Sequence, residues 1–352
     1  MKTKQKTQSG LFDEELRLQK LSLKGDPLER LNRKIKWEEF RSIIEDGIKK
    51  EPKAPGGRPP YDVILKFKML ILQRYYNISD EQLEYQVNDR LTFMRFLGLN
   101  IASDVPDCNT IWTFREQLKE NGIVEKLFDK FDEMLENEGF IAHEGSIIDA
   151  SFVEVPRQRN KKDDNDKIKN NKIPEGWEKE ENKNRLSHKD LDARWTKKNN
   201  VTYYGYKDHV KIDNKSKLIT KYDVTSASVH DSQKLNDLLD EKDKGKELYA
   251  DSAYVGQEEI LLKKEVVNRI HEKGYKNRHL TDEQKSSNKE KSKTRARVEH
   301  VFGFIENSMN GSSIKTIGIE RAKANIGLMN LTYNFFRYVF LSNRKCGDLV
   351  EA

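Results

Sequence analysis

Apolar positions change their period near residue 146, and the change separates a helical stretch from a mixed one. Before it, residues 1–54 are strongly charged, with a weak amphipathic pattern at Ile35, Trp37, Phe40, Ile43 and Ile44 that predicts one helix with a wet face. Pro55-Gly56-Gly57-Arg58-Pro59-Pro60 stops any regular element, because Pro removes donors and Gly adds backbone freedom. From Tyr61 to Tyr76 the apolar residues crowd most of a helix, which predicts burial on nearly all sides. Ser79-Asp80-Glu81-Gln82 reads as a reciprocal capping box, and Pro106-Asp107-Cys108-Asn109-Thr110 opens a helix carrying Trp112, Phe114, Arg115 and Lys119. Short helices joined by tight turns fit either a helix-turn-helix arrangement or a plain bundle with a solvated basic face.

From Ser146 the run Ile147, Ile148, Ala150, Phe152, Val153 and Val155 predicts a buried strand. Between Arg157 and Asn200 the composition collapses to charge and amide side chains, so this stretch reads as an inserted loop or arm with no core of its own. Tyr203–Ile212 and Leu218–Val224 flank a turn and predict a hairpin. Asp231 is placed to cap a short helix carrying Leu235, Leu238 and Leu239; Glu247–Ala250 is a strand, Gln257–Lys264 a helix and Val267–His271 a last strand. Val298, Val301, Phe302 and Ile305 recur at helical spacing, and Ile326–Phe340 is a core helix too short and too interrupted by Asn330, Asn334 and Arg337 to span a membrane. The order of elements predicts a mixed sheet covered by helices, with an all-helical N-terminal domain. The expected boundaries are 1–54 for the charged helical segment, 55–140 for a helical DNA-binding domain and 141–345 for a catalytic domain carrying the charged insertion 157–200.

Composition narrows the chemistry. A net charge of +6 is compatible with a polyanionic partner. Two cysteines with no CxxC spacing exclude a disulfide framework and a thiolate zinc site, and fit a reducing compartment. With no apolar core behind the N-terminal lysines, the expected location is the cytoplasm.

Three acids stand out. Asp149 sits inside the buried-strand run, where an ionised carboxylate costs several kcal/mol or more unless paired. Asp251 ends a second strand, and Glu299 lies beside the apolar stripe of a helix. If the three converge, carboxylates about 4 Å apart repel by roughly 4 kcal/mol at an effective dielectric near 20, so one takes a proton or divalent cations join. Hard oxygen donors without Cys select Mg²⁺ or Mn²⁺, and two such ions can clamp an in-line phosphoryl displacement.

Ile148-Asp149-Ala150-Ser151, Tyr204-Gly205-Tyr206-Lys207-Asp208-His209, Ser228-Val229-His230-Asp231-Ser232, Ala250-Asp251-Ser252-Ala253-Tyr254 and Arg295 with Val298-Glu299-His300-Val301-Phe302 together resemble the ordered motifs of bacterial insertion-sequence DDE transposases of the insertion sequence five type. The resemblance covers about Ser146 to Phe340, and Gly57 to Asn121 resembles the family's N-terminal domain. It implies an α/β ribonuclease H-like catalytic core. It also implies catalytic and metal-ligating roles for Asp149, Asp251 and Glu299, with two Mg²⁺ ions, double-stranded DNA as partner and a homo-oligomer assembled on it. Ser292 and Glu306 stand where the family's signature helix often has Tyr and Lys, which removes one expected DNA contact.

Arg58, Arg115, Lys119, Arg295 and Arg297 are the basic candidates for DNA contact. Tyr206, Lys207 and His209 either face DNA from the hairpin or form an ordinary solvated face. His230 beside Asp231 either helps position DNA or belongs to an N-cap, and His300 either supports Glu299 or is a surface residue. The expected activity is binding of the element's terminal inverted repeats, followed by metal-dependent strand cleavage and strand transfer. Two alternatives stay open at this point: a non-catalytic DNA-binding descendant, and a ribonuclease H-like nuclease that cuts without joining.

Overall fold

The computed structural model describes residues 10, 12–48, 59–198, 200–275 and 278–348. They form two compact units, one made of the described residues up to Gln73 with Ile78–Arg115, the other of Arg74–Asn77 with the residues from Glu116 onward.

The first unit is helical: α1 (Asp13–Leu23), α2 (Pro27–Lys34), α3 (Arg41–Ile48), most of α4 (Val63–Tyr76), α5 (Asp80–Asp89), α6 (Leu91–Leu97) and the first turns of α7 (Cys108–Glu120). Where one N-terminal helix was expected there are three: Gly25 at positive φ and the Asp26 cap with Pro27 separate α1 from α2, and an extended Ile35 ends α2 before a 3₁₀ turn at Trp37–Phe40 that leads into α3. Trp37 meets the rings of Phe67 and Phe96 edge-on at 5.9 and 5.6 Å, which gives the unit its aromatic centre. Ser79 caps α5 by accepting the Gln82 amide at 3.2 Å, but Gln82 spends its side chain on Gln86, so only half of the expected box forms.

The second unit holds α8 (Ile123–Asn137), β1 (Ser146–Glu154), α9 (Lys162–Lys169), α10 (Lys183–Ser187), β2 (Arg194–Lys198), β3 (Val201–Asp213), β4 (Ile219–Ser226), α11 (Leu235–Leu238), β5 (Glu247–Ala250), α12 (Glu258–Lys263), β6 (Val267–Ile270), α13 (Asp282–Met309) and α14 (Ile319–Asp348). Its sheet runs β3-β1-β5-β6, with β1 antiparallel to β3, parallel to β5, and β5 parallel to β6; β4 and β2 both pair with β3. This is the mixed sheet covered by helices that the order of elements predicts. Ile148, Leu235, Leu238, Leu248, Ala250, Tyr254 and Leu261 close the core on one side of the sheet.

α14 covers β4 and is the reason the apolar C-terminal run carries asparagines. Asn334 accepts the Ile219 amide at 2.9 Å and donates to the Ile219 carbonyl at 2.7 Å, satisfying the outer edge of β4. Asn330 donates to the fully buried Asp208, whose carboxyl burial pushes up to about 7. No helix among the described residues is long and apolar enough to cross a membrane.

Two expectations change here. α8 packs on α14 through Phe131, which meets Phe335 at 4.6 Å, so a helix expected with the N-terminal domain belongs with the sheet. The insertion 157–200 is not a bare arm: Ile168 and Trp177 are buried, and Asp190 and Asp192 accept the amides of Gly318 and Ile319 at 3.2 and 2.9 Å. Those carboxylates cap the N-terminus of α14, where the helix dipole favours them.

Gly327 of α14 is the tightest point of this packing. A Cβ there would meet the Tyr222 hydroxyl at 2.3 Å and Val124 at 2.9 Å, and Tyr222 is itself wedged against Phe128. Ala gains about 1 kcal/mol of helix propensity, but overpacking typically costs about 1–3 kcal/mol, so the clash outweighs it. Gly327→Ala is therefore expected to lower the denaturant midpoint of the purified protein; an unchanged or higher midpoint would show that Tyr222 moves aside freely.

Candidate active site

Strand pairing brings the first two acids near each other. β1 and β5 pair in parallel with Ser146 opposite Leu248 and Ile147 opposite Tyr249; Asp149 lies two residues past this pairing on β1 and Asp251 directly follows the end of β5, near enough for its charge to act on the Asp149 carboxyl. Neighbouring strands lie about 4.8 Å apart, so these carboxylates share one end of the sheet. Asp149 is buried, at 8% exposure. Its Oδ1 accepts the Ala150 amide at 2.9 Å and its Oδ2 accepts from Arg295 Nη1 at 2.7 Å. Asp251 begins the 3₁₀ turn Ser252–Tyr254, with Oδ1 accepting the Ala253 amide at 2.8 Å, which aims the carboxylate off the strand end.

The third acid arrives on α13, seated by its buried stripe Val298, Val301, Ile305 and Met309. Arg295 lies one turn before Glu299, and its Nη2 stands 3.5 Å from Glu299 Oε1 while Nη1 holds Asp149. One guanidinium thus joins Asp149 to Glu299, occupying electrostatically the place of a cation between acids. Glu299 itself is exposed. Burial pushes the Asp149 carboxyl up to about 6; Arg295 opposes that shift, and the charge of Asp251 adds to it.

The donor set fits a hard divalent cation in part. Asp149 and Asp251 supply hard oxygens within electrostatic reach of each other, and the buried Tyr254 hydroxyl, which feels both charges, has no hydrogen-bond partner among the described residues. Among the described residues, however, no three His, Cys, Asp or Glu side chains draw close enough to ligate one ion. Glu299 is held off at the far side of Arg295.

His271, absent from the sequence-based candidates, belongs to this neighbourhood. It follows the last residue of β6 as Asp251 follows β5, its amide bonds to the Ala250 carbonyl at 3.1 Å, and its Nε2 lies 3.2 Å from the Ser292 hydroxyl. Burial lowers its pKa, as do the charges of Arg295 and Lys291. The available signal was its position at the carboxyl end of a strand parallel to that of Asp251.

Most proposed DNA contacts are engaged elsewhere. Arg115 is buried and forks onto Asp80, both bonds 2.8 Å, with Gln73 as a third partner. Lys119 donates to Glu116 at 2.7 Å, and Glu116 also takes Arg321. Tyr206 is fully buried and donates to Asp190. Lys207 donates to Asp231 and to the Val229 carbonyl, both at 2.7 Å. His209 is fully buried against Thr225 at 2.8 Å, and burial lowers its pKa to about 4, so it is neutral at pH 7. β3 is covered on both faces, which is why its polar alternation is not a solvated surface. Arg297 binds the Asn214 carbonyl and side chain, bracing the β3–β4 turn. His230, not Asp231, caps the following turn, accepting the Ser232 amide at 3.4 Å, and it remains exposed, as does His300. Arg58 lies outside the described residues.

Residues 141–335 match the family model described as the transposase DDE domain, and residues 16–117 match that of a transposase domain, DUF772. A solved structure similar to this chain is the cryo-EM piggyBac transposase synaptic complex with hairpin DNA, at 14% identity and a TM-score of 0.45, covering 92% of this chain and 76% of that one.

The raised carboxyl has a consequence for stability. In the folded protein Asp149 keeps its proton up to about pH 6, whereas an unfolded Asp releases it near 4, so its contribution to stability falls as pH rises through that window and stays low above it. In EDTA-containing buffer, Asp149→Asn should stabilise the protein by about 2–3 kcal/mol at pH 7.5, and the gain should vanish below pH 4. Denaturant midpoints across pH check this; a gain that does not depend on pH would refute the assignment.

Proposed function

This chain belongs to the transposase DDE domain family, and we propose that it binds the terminal inverted repeats of its own mobile element, cleaves a strand there and joins the freed 3′-OH to target DNA. The observation that carries the reading is a buried Asp149 within reach of the Asp251 charge, together with the single guanidinium that contacts both Asp149 and Glu299. A binding-only descendant would have no need to keep a buried, poorly solvated Asp149 against a second acid.

In this reading Asp149 and Asp251 are the catalytic pair that holds Mg²⁺ or Mn²⁺, and Glu299 is the third ligand. Bound there, two such ions would supply Lewis-acid stabilisation of the attacking and leaving oxygens at the scissile phosphate. The chain's own residues do the positioning. The β1–β3 ladder holds Asp149, the turn amide of Ala253 fixes Asp251, and α13 carries Glu299 on the far side of Arg295. Arg295 offsets the mutual repulsion of the acids, about 3 kcal/mol for a pair about 5 Å apart at an effective dielectric near 20, until cations take over that role. Attack by water and then by a 3′-OH needs no covalent protein intermediate.

The partner is double-stranded DNA at the element ends and at the target, engaged by a homo-oligomer. End recognition is assigned to the helical unit, with affinity falling as salt rises because phosphate neutralisation releases counterions.

Asp149→Asn, Asp251→Asn and Glu299→Gln are each expected to lower cleavage and strand transfer by more than about a hundredfold, beyond the loss typical of a residue that only supports a ligand. Binding of end DNA should stay near wild type. The assay uses a donor carrying the inverted repeats that flank the reading frame; full activity in any one variant would overturn the site, and cleavage without joining in the wild type would favour a nuclease.

A further inference from the structure

β2 and the first part of β3 form a ribbon that leaves the sheet. Arg194 to Lys198 pair with Gly205 back to Val201, whereas β1 last pairs at Glu154 with Gly205 and β4 at Ser226 with Tyr206. Gly205 is the departure point. Its φ is +150, and a Cβ there would lie 2.3 Å from the Val153 carbonyl, so only glycine fits.

The ribbon's chemistry is unlike that of the rest of the chain. From Arg194 to Gly205 there is no acid in a protein with 59 of them. Lys197 and Lys198 are exposed and form no salt bridge among the described residues. Trp195 is 42% exposed, leans on Tyr204 at 4.8 Å and lies beneath the exposed Arg157 guanidinium at 5.6 Å. Tyr203 stacks on Phe152 of β1 at 4.2 Å and 10°, with Lys198 over the Phe152 ring at 5.8 Å. Phe152 lies three residues beyond Asp149 on the same strand, so the ribbon packs against the strand that carries the acidic site.

We propose that this ribbon is a clasp for an unpaired DNA strand next to the acidic site, with Lys197 and Lys198 on phosphates and Trp195, flanked by Arg157, stacking on a base. The proposal rests on the transposase reading and adds to it a single-stranded ligand and the residues that hold it. Stacking requires a base out of its duplex, since paired bases hide their faces, whereas lysines attract either form. The aromatic residue therefore separates single from double strands, and the lysines do not.

Full-length protein is titrated by fluorescence anisotropy with a labelled 20-nucleotide oligothymidylate and with a mixed-sequence duplex of 20 base pairs. Trp195→Ala should weaken oligothymidylate binding about fivefold or more, leave duplex binding unchanged and be largely rescued in Trp195→Phe. Lys197→Ala with Lys198→Ala should weaken both probes and reduce the salt slope on the single strand by about 1. Thermal melting equal to wild type certifies that the variants fold, and the phenylalanine variant keeps the test valid if the alanine variant does not. Wild-type oligothymidylate affinity in Trp195→Ala, or equal losses on both probes, would overturn the clasp. If that happens while the wild type still cuts donor DNA, the clasp alone fails; a wild type that neither binds nor cuts any DNA removes the transposase reading beneath it.

Discussion

A buried carboxylate in the middle of β1 is the constraint that the rest of the site answers. Asp149 is 8% exposed, paired through the β1–β3 ladder with Val210, and a one-residue slip of that ladder would turn it to the opposite face, away from Arg295. What offsets its burial is Arg295, and Arg295 is where it is because the stripe Val298, Val301 and Ile305 seats α13 against the sheet. Apolar burial thus sets up both the electrostatic problem and its partial solution.

The partial character of that solution is informative. With Arg295 between Asp149 and Glu299, burial still raises the Asp149 carboxyl to about 6, so its ionised form is disfavoured in this poorly solvated place. Stored destabilisation of this kind is common at sites built for a ligand, because the ligand supplies the missing counter-charge. Arg295 closes the acids only loosely, its contact with Glu299 being longer than an ordinary hydrogen bond, which leaves Glu299 able to change partners.

Along β3 the buried polar side chains are each held by a partner from a covering element. Lys207 with Asp231, and Lys211 with Asp240 and Asp243, lie on one face of β3, while Tyr206 with Asp190 and Asp208 with Asn330 lie on the other. Removing one member of such a pair strands the other in low dielectric, so these polar residues fix the strand's covering elements rather than reach for DNA. Lys197 and Lys198, by contrast, are exposed on the ribbon of β2 with β3, in the insertion region whose composition had suggested only a loop.

The sequence by itself determined the helical then mixed order of elements, the strands at Ser146, Tyr203, Leu218, Glu247 and Val267, and three acids worth weighing, because hydrophobic period and cap residues are local properties. It also carried the family, since ordered motifs survive without coordinates. Tertiary structure decided which polar side chains are available. Arg115, Tyr206, Lys207 and His209 look free in a one-dimensional pattern, yet each is buried against a partner 16 to 42 positions away. Conversely, His271 joined the acids, and Lys197, Lys198 and Trp195 stood clear, for reasons that no local window contains. Exposure depends on which distant segment lies across a strand, and sequence spacing carries no record of that.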